Sequence, residues 1–221
     1  MFRGVVTNAA RSAPAARSAG SPPSSTRNLS TDVVVEAALR VADAEGMSAV
    51  TLGRVARDLG CHVTSLYTHV DSIDDLHMRM AVVVQTDLGQ RLWQAALGRT
   101  GVEALRALAN VYREFGESHP VRSWLLFAMT GKADSRFRDG AQFLVEPIRA
   151  TLRSFGLDEQ QVLHAHRSFS ASMRGFLLGV GQGAYGDEAD ATFEQIVSLY
   201  TVALERGDWP TTPPAKRSRA R

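Results

Sequence analysis

The sequence of 221 residues has one cysteine, no long hydrophobic run and no recognisable secretory leader. Because Cys61 is alone, an intramolecular disulfide framework and a four-cysteine zinc site are both excluded. Apolar runs stay below the roughly 18–20 residues that a membrane span requires. The N-terminus also lacks the compact apolar stretch of a secretory signal. These absences together predict a soluble protein of the reducing cytoplasm.

Acidic residues are missing from both ends of the chain. Residues 1–29 carry four arginines, and residues 212–221 carry one lysine and three arginines. Residues 30–76 instead have eight acids against three arginines, a net charge of −5 within a chain of net charge +2. Both ends are rich in Ala, Ser, Pro and Arg, a composition that buries too little apolar surface to fold. We predict disordered basic tails over residues 1–29 and 208–221, which either contact a polyanion or remain solvated extensions.

A strand pattern is missing as well, because no alternation of apolar and polar residues is bounded by turn signals. From Ser30 onward the apolar residues recur at helical spacing, as Val34, Ala37 and Val41 do in the first helix. Glycines, prolines and capping residues divide this pattern into about nine helices, three short ones followed by six longer ones. The prediction is an all-α protein with a kink at Pro147 in its seventh helix.

The most informative stretch is residues 51–76, TLGRVARDLGCHVTSLYTHVDSIDDL. Thr51 can cap a helix that ends at Gly60, and a second short helix is expected from Val63 to Val70. Two such helices cannot bury a core alone, so they must pack on the first helix and leave one face of the second exposed. This is the geometry of a helix-turn-helix, whose second helix enters the major groove of DNA. The exposed face would consist of His62, Val63, Thr64, Ser65, Tyr67 and His69.

The same stretch resembles the DNA-binding region of the tetracycline-repressor (TetR) family. The family pattern is matched in register by Thr51, Val55-Ala56, Leu59-Gly60, Leu66-Tyr67-Thr68-His69-Val70 and Leu76. Three places depart from it: Cys61-His62 replaces a hydrophobic residue and a serine, Val70 replaces a phenylalanine, and Ile73 replaces a phosphate-binding lysine. The resemblance implies a DNA-binding domain over residues 30–76 and an effector-binding and dimerisation domain over residues 77–207.

The resemblance also implies which side chains contact DNA: Arg54, His62, Val63, Thr64, Ser65, Tyr67 and His69. Tyr67 and His69 would reach phosphates or base edges, and Thr64 and Ser65 would contact thymine methyl groups or the DNA backbone. The structural alternatives are a packing tyrosine, a capping or solvated histidine and a solvated helix start. A surface ion pair is equally consistent with Arg54.

In the TetR family the later helices enclose an apolar effector cavity. The residues here that would line it are Trp124, Phe127, Phe143, His166, Phe169, Met173 and Arg174. Large apolar residues at such positions are more often simply core. His166 and Arg174 would orient an anionic or polar ligand, or would lie at the surface. Met173-Arg174-Gly175 stands where one subgroup of the family has Trp-His-Gly, so the glycine alone of that signature is present. His119-Pro120 with a following aromatic-rich helix also resembles that subgroup.

The last two helices of the family pair across a two-fold axis, and two faces here resemble such an interface. They consist of Gly175, Leu178, Gly179 and Gln182 on the eighth helix and of Phe193, Ile196, Val197, Tyr200 and Leu204 on the ninth. Their spacing places each set on one side of its helix. Two such helices per subunit would form a four-helix interface in a homodimer.

No arrangement of catalytic or metal-binding residues is recognisable. His164 and His166 are two residues apart and so lie on different helix faces, and neither a G-x-S-x-G motif nor a phosphate-binding glycine loop is present. We therefore predict no cofactor, no metal and no enzymatic activity. The sequence favours a TetR-like repressor that binds a palindromic double-stranded DNA operator as a homodimer and is released by a small-molecule effector. The alternatives are an effector-independent DNA-binding architectural protein and a helical enzyme.

Overall fold

The computed structural model describes residues 29–129 and 134–209. Over these residues it contains nine α-helices and no strand, which confirms the all-α prediction. The helices are α1 (Thr31–Glu45), α2 (Leu52–Leu59), α3 (Val63–Leu66), α4 (Ile73–Ala96), α5 (Gly101–Ser118), α6 (Pro120–Met129), α7 (Ser135–Arg153), α8 (Glu159–Gly181) and α9 (Ala189–Glu205). In these ranges no helix combines the length and the apolar character needed to cross a bilayer. The predicted basic tails lie outside the described residues, apart from residues 29, 208 and 209.

Polar caps and one glycine set the limits of the first three helices. Ser30 caps α1 and Thr51 caps α2, and each side-chain oxygen accepts the backbone N–H three residues ahead, at 3.3 and 3.1 Å. Gly60 adopts the left-handed conformation (φ +67°) that ends α2 and reverses the chain. The third helix is shorter than predicted, because it ends at Leu66 and the chain passes through a turn before Val70.

The first three helices share one core, which leaves the outer side of α3 free. The predicted apolar face of α1 is buried throughout, at Val34, Ala37, Ala38, Val41 and Ala42. Val55 from α2 and Leu66 from α3 are fully buried in the same cluster. Burying a Val or Leu side chain contributes about 1.5–3 kcal/mol, so these contacts hold the two short helices against α1.

The long helix α4 connects this unit to the rest of the protein. Ser72 caps it, since its hydroxyl oxygen accepts the N–H of Asp75 at 3.1 Å. The Asp75 carboxylate accepts the N–H of Asp71 at 3.1 Å, whereas a strict capping box would use the N–H of Ser72 itself. Beyond its first turns α4 packs along α5, α6 and α7, and α5 in turn contacts α8 and α9.

The body formed by α4 to α9 has a core of large apolar side chains. Those that are fully buried include Leu88, Leu92, Leu105, Leu108, Leu125, Ile148, Phe169, Phe176 and Phe193. Pro147 lies inside α7, which runs on as one helix to Arg153. This packing fixes α5 to α8 around the cavity described below.

Candidate nucleic-acid interface and ligand cavity

The outer side of α3 brings together four of the side chains predicted to contact DNA. His62, Val63, Thr64 and Tyr67 are exposed, and Tyr67 has 56% of its surface accessible. Leu66 lies among them in sequence but points into the core, which fixes the rotation of the helix. The four outward side chains form a mixed apolar and hydrogen-bonding surface, as readout of base edges and phosphates requires.

Two further predicted contacts, Ser65 and His69, are only partly exposed. The backbone carbonyl of Ser65 accepts the hydroxyl of Thr68 at 2.8 Å. The carbonyl of His69 accepts the hydroxyl of Thr31 at 3.4 Å, which ties the end of the α3 region to the start of α1. Both residues therefore help to hold the α3 region in place, and both present less exposed surface than Tyr67 does.

Arg54 lies on α2, where acidic residues hold its guanidinium group. Glu45 accepts from Arg54 at 2.6 and 3.0 Å, and a carboxylate oxygen of Asp58 lies 3.8 Å away. A contact between Arg54 and phosphate requires the Glu45 pair to open. Because the pair is partly exposed to solvent, opening it costs little. Arg57 is exposed and forms no ion pair within the described part of the chain.

Replacing Glu45 with glutamine should strengthen DNA binding. The change releases Arg54 and removes one negative charge from the unit of residues 30–76, whose net charge is −5. Affinity for specific and random DNA should rise together, and the slope of log affinity against log salt should steepen by about 0.9 for one added phosphate contact. Glu36→Gln is the matched control, because it removes an exposed charge from the same helix without releasing an arginine. An unchanged salt slope for Glu45→Gln would show that Arg54 does not reach phosphate.

A cavity of about 150 Å³ that is partly open to solvent lies among α4, α5, α6, α7 and α8. Its lining consists of Gln85, Tyr112, Leu126, Phe127, Phe137, Ala141, Leu144, Val145, His166, Ser170 and Arg174. Three of the predicted effector-binding residues, Phe127, His166 and Arg174, are therefore brought together. The cavity is apolar over most of its wall and polar at a few points, which is typical of small-molecule sites.

Sequence reasoning missed three polar residues of this cavity: Gln85, Tyr112 and Ser170. Gln85 falls on the buried side of α4, between Ala81 and Leu88, and is 1% exposed. Gln85 could therefore have been found from the sequence, because it is a polar residue at a helical position where apolar residues recur. The tyrosine and the serine carry no comparable signal, because both types are common in helices of every environment.

An open groove of about 430 Å³ lies beside the cavity, between α5, α6 and α8. Trp124, the fourth predicted effector-binding residue in this region, is exposed at its edge and faces the groove with Leu177 and Leu178. Phe127 lines both the groove and the cavity. The predicted effector-binding residues are thus divided between the groove and the cavity, and the Phe127 ring borders both.

Phe143, Phe169 and Met173 line neither space, so they are removed from the candidate ligand site. Phe143 is 43% exposed and packs against Trp93, whose indole N–H donates to the Phe143 carbonyl at 3.0 Å. Phe169 and Met173 are fully buried core residues, and Phe169 meets the ring of Tyr112 edge-on. Helical spacing identifies the apolar face of a helix, but it does not show which residues of that face border a void.

The ionisable groups of the cavity are held in defined states. Burial, together with the positive charges of Arg149 and Arg167, lowers the pKa of His166 to about 4. Burial also raises the pKa of Tyr112 to about 12, against the opposing effect of nearby Ser170 and Arg174. At neutral pH His166 is therefore uncharged and Tyr112 keeps its proton, so Arg174 supplies the charge among the lining residues.

The free energy of unfolding should fall as the pH decreases from about 6.5 to about 4. The pKa of His166 is lower in the folded protein than in the unfolded chain, so the unfolded state takes up the proton first and is stabilised by it. His166→Gln should remove up to about 3 kcal/mol of this loss. Urea titrations of both proteins across this pH range measure the difference. Parallel profiles for the two proteins would show that His166 does not contribute.

Three residues predicted at a dimer interface, Phe193, Val197 and Leu204, are at most 3% exposed within the protomer. Phe193 packs against the ring of Phe176 on α8. The helical spacing does mark the apolar side of α9, but that side is covered by the same chain. These three positions are therefore corrected from the interface to the core.

Three other predicted interface residues are partly covered by their own chain. A Cβ atom at Gly179 would lie 2.5 Å from the ring of Tyr185, so the space beside this glycine is already filled. Tyr200 is half-buried, and its hydroxyl shares a hydrogen bond of 2.8 Å with Ser172. Ile196 is half-buried as well. These residues form the margin of the core more than a free surface.

An apolar outer face remains on α8 and α9. Its exposed residues are Gly175, Leu178 and the polar Gln182, which were predicted, and Leu199 and Val202, which were not. Leu178 and Gln182 also line the groove between α5, α6 and α8. Leu199 has 62% of its surface accessible, although it is large and apolar. Leu199 lies on a second apolar side of α9. The prediction from helical spacing considered one apolar side of this helix and so left Leu199 out.

Two ion pairs join the helix-turn-helix unit to the body. Arg122 on α6 donates to both carboxylate oxygens of Asp43 on α1, at 2.6 and 3.1 Å. Arg136 on α7 donates to Asp75 in the first turn of α4, at 2.7 Å. Burial opposes ionisation of Asp75, but hydrogen bonds from Arg79 and Arg136 lower its pKa. The carboxylate therefore stays charged and paired at the junction.

The chain is similar in sequence to known proteins over most of its length. Residues 105–200 match the family model described as Tetracyclin repressor-like, C-terminal domain. The HTH-type transcriptional regulator Rv0681 of Mycobacterium tuberculosis is 32% identical over 180 residues, which cover 80% of this chain and 83% of that protein. The HTH-type transcriptional repressor DrrR1 of Streptomyces coeruleorubidus is 31% identical over 169 residues, 73% of this chain and 56% of that protein.

Solved structures share the fold at lower identity. The Streptomyces coelicolor TetR family protein ActR, in complex with (S)-DNPA, has a TM-score of 0.63 at 19% identity and covers 81% of this chain and 98% of its own. A TetR variant from Acinetobacter baumannii, in complex with minocycline, has a TM-score of 0.64 at 19% identity and covers 80% and 97%. The sequence relatives are named as HTH-type transcriptional regulators. By sequence and by fold, this chain belongs to the TetR family of transcriptional regulators.

Proposed function

We propose that this protein is a cytoplasmic transcriptional repressor that binds near-palindromic operator DNA as a homodimer and releases it when a small molecule fills the cavity among α4 to α8. The observation that carries the proposal is the outward face of α3, on which Val63, Thr64 and Tyr67 are exposed while Leu66 anchors the helix in the core. The repressor DrrR1 supports the sign of regulation. Membership of the Trp-His-Gly subgroup stays a prediction that rests on Gly175.

The outer face of α8 and α9 is the surface that fits dimerisation. Gly175 allows close approach of helices, while Leu178, Leu199 and Val202 supply apolar contact area. Pairing two copies through these helices forms a four-helix interface with two-fold symmetry. The two α3 helices then enter successive major grooves about 34 Å apart, which requires an operator with inverted half-sites.

The net charge of −5 on residues 30–76 weakens the binding of the helix-turn-helix unit to DNA phosphates. Exposed Arg57 and Arg54, once released from Glu45, are the nearest cations to α3 in sequence. The four arginines of residues 1–29 add positive charge directly before α1. We propose that they share the neutralisation of phosphate on which duplex affinity depends.

Release by a ligand requires that the cavity and the DNA-binding unit move together. The cavity lies among α4 to α8, and the Arg122–Asp43 and Arg136–Asp75 pairs connect α6 and α7 to α1 and α4. A ligand that shifts α6 or α7 therefore shifts the spacing of the two recognition helices. A near-complete switch requires the ligand to favour the released state by about 10⁴-fold. ActR and the TetR variant, which bind small molecules in their crystals, support this part of the proposal.

The number of protomers bound per DNA duplex distinguishes a dimeric repressor from an architectural DNA-binding protein. Sedimentation of the purified protein with an operator duplex should give two protomers per duplex, and a duplex with one half-site scrambled should bind at least about 100-fold more weakly. Coating of any duplex in proportion to its length, without preference for sequence, would instead favour the effector-independent architectural alternative.

A further inference from the structure

Among the residues that the structure describes, the lining of the cavity among α4 to α8 includes one charged side chain, Arg174, and no carboxylate. We infer that the effector is a small organic anion, a single carboxylate on a compact apolar ring, whose carboxylate pairs with the Arg174 guanidinium. This inference deepens the proposed function and rests on the cavity being the effector site. Three observations support it. Arg174 has no carboxylate partner among the described residues, neutral hydrogen-bond donors lie beside it, and the volume of the cavity fits one small ring.

Arg174 differs from the ion-paired arginines of the body. Arg113 and Arg122 pair with carboxylates, whereas Arg174 forms no ion pair within the described residues. Its Nε atom is buried without a hydrogen-bond partner there, and its guanidinium carbon lies 4.9 Å from the centre of the Phe127 ring. A buried donor left unpaired is costly, and a carboxylate satisfies a guanidinium group through two parallel hydrogen bonds. The aromatic ring meanwhile holds the guanidinium plane in place.

Two neutral donors lie at the same end of the cavity. Ser170 is four residues before Arg174 on α8, so the two side chains share one helix face. The Tyr112 hydroxyl is close enough to both for each to influence its ionisation, and it keeps its proton at neutral pH. Grouped donors around one cation favour an anionic group over a neutral one. A cationic ligand is disfavoured because it would bury a second positive charge beside the first.

The size and the remaining walls define the rest of the ligand. A volume of about 150 Å³ has room for roughly one six-membered ring, since a cavity of that volume in another protein binds benzene. Leu126, Phe137 and Leu144 supply the apolar wall that such a ring requires. His166 is eight residues before Arg174, about 12 Å along the helix axis, so it lies away from the carboxylate end.

Benzoate, benzamide and benzylammonium are matched probes, because they share the ring and differ in charge. Calorimetric titration of each into the purified, DNA-free protein should show benzoate binding about tenfold or more tightly than benzamide, with benzylammonium weakest. Arg174→Met should bring benzoate and benzamide to equal affinity. Arg174→Lys should keep part of the preference, since it retains the charge without the planar fork. Arg206→Met, an exposed position just after α9 that lies outside the cavity lining, should leave the preference unchanged.

The outcomes separate the ligand inference from the proposed function. Equal affinities for benzoate and benzamide in the unaltered protein, no saturable binding of benzoate, or an unaltered preference in Arg174→Met would each overturn the anion inference. If the methionine variant does not fold, the lysine variant decides, because a full preference there would exclude the two-bond pairing. Operator binding is measured on the same samples without any probe. Its loss or absence would overturn the repressor proposal and leave the ligand result standing.

Discussion

A protein carrying both Thr64→Ala and Tyr67→Ala should lose operator binding by at least about 100-fold while its unfolding stays nearly unchanged. Both side chains lie on the outer side of the α3 region, and Tyr67 is 56% exposed, so their removal takes little from the core. Each good contact to a base edge contributes about 1–3 kcal/mol of discrimination, and a homodimer loses the contacts in both half-sites. Fluorescence anisotropy with a labelled operator measures the affinity, and thermal unfolding measures the stability.

Thr86→Ala is the control for this experiment. Thr86 is also an exposed helical threonine, and its hydroxyl donates to the carbonyl of Val82 in its own helix, α4. Its removal should leave operator affinity unchanged. Because base contacts carry the sequence information, the double variant should also lose more affinity for the operator than for random DNA. Full operator affinity in the double variant would contradict the assignment of α3 as the recognition helix.

Leu199→Asp should convert the protein to monomers and lower operator affinity by about 10²–10⁴-fold at the same protein concentration. Leu199 is 62% exposed in the protomer and lies on the outer face of α8 and α9. An unpaired carboxylate in an apolar interface costs several kcal/mol, and loss of the dimer removes the gain from binding two half-sites at once. Sedimentation velocity gives the oligomeric state, and anisotropy gives the affinity.

Leu97→Asp makes the same chemical change at a position away from this face. Leu97 follows α4 and is 81% exposed, so neither the dimer nor operator affinity should change. Leu199 is a sharper test than Tyr200, since Tyr200 bonds to Ser172 and a charge there would also disturb the protomer. Dimers of undiminished affinity in Leu199→Asp would place the interface elsewhere.

Local signals allowed the helix-turn-helix unit to be predicted in detail. Ser30, Thr51 and Gly60 act through bonds and dihedral angles within a few residues, so their effect is visible in the sequence itself. The end of α3 was the exception, because its length depends on how the following turn packs against α1. The sequence also left open whether Arg54 contacts phosphate or forms a surface ion pair. In the free protein it pairs with Glu45, which lies nine residues before it.

The ligand cavity and the outer face of α8 and α9 could be predicted only in part. Helical spacing separates apolar from polar positions, but whether an apolar side chain meets its own chain, a void or a partner depends on contacts distant in sequence. Phe193 and Leu199 illustrate this: both are apolar residues of α9, and one is buried in the core while the other is exposed. Gln85 and Tyr112 meet His166 only because three helices converge.

Selection of bound sequences from random double-stranded DNA with the purified full-length protein shows whether a two-fold dimer reads DNA with α3. We expect enrichment of one near-palindromic site, whose half-sites are centred about one helical turn apart, 10–10.5 base pairs, or a multiple of it. The Thr64→Ala and Tyr67→Ala double variant should enrich nothing under the same conditions. Enrichment of an asymmetric single site, or equal recovery of all sequences by the unaltered protein, would contradict a two-fold repressor that reads DNA with α3.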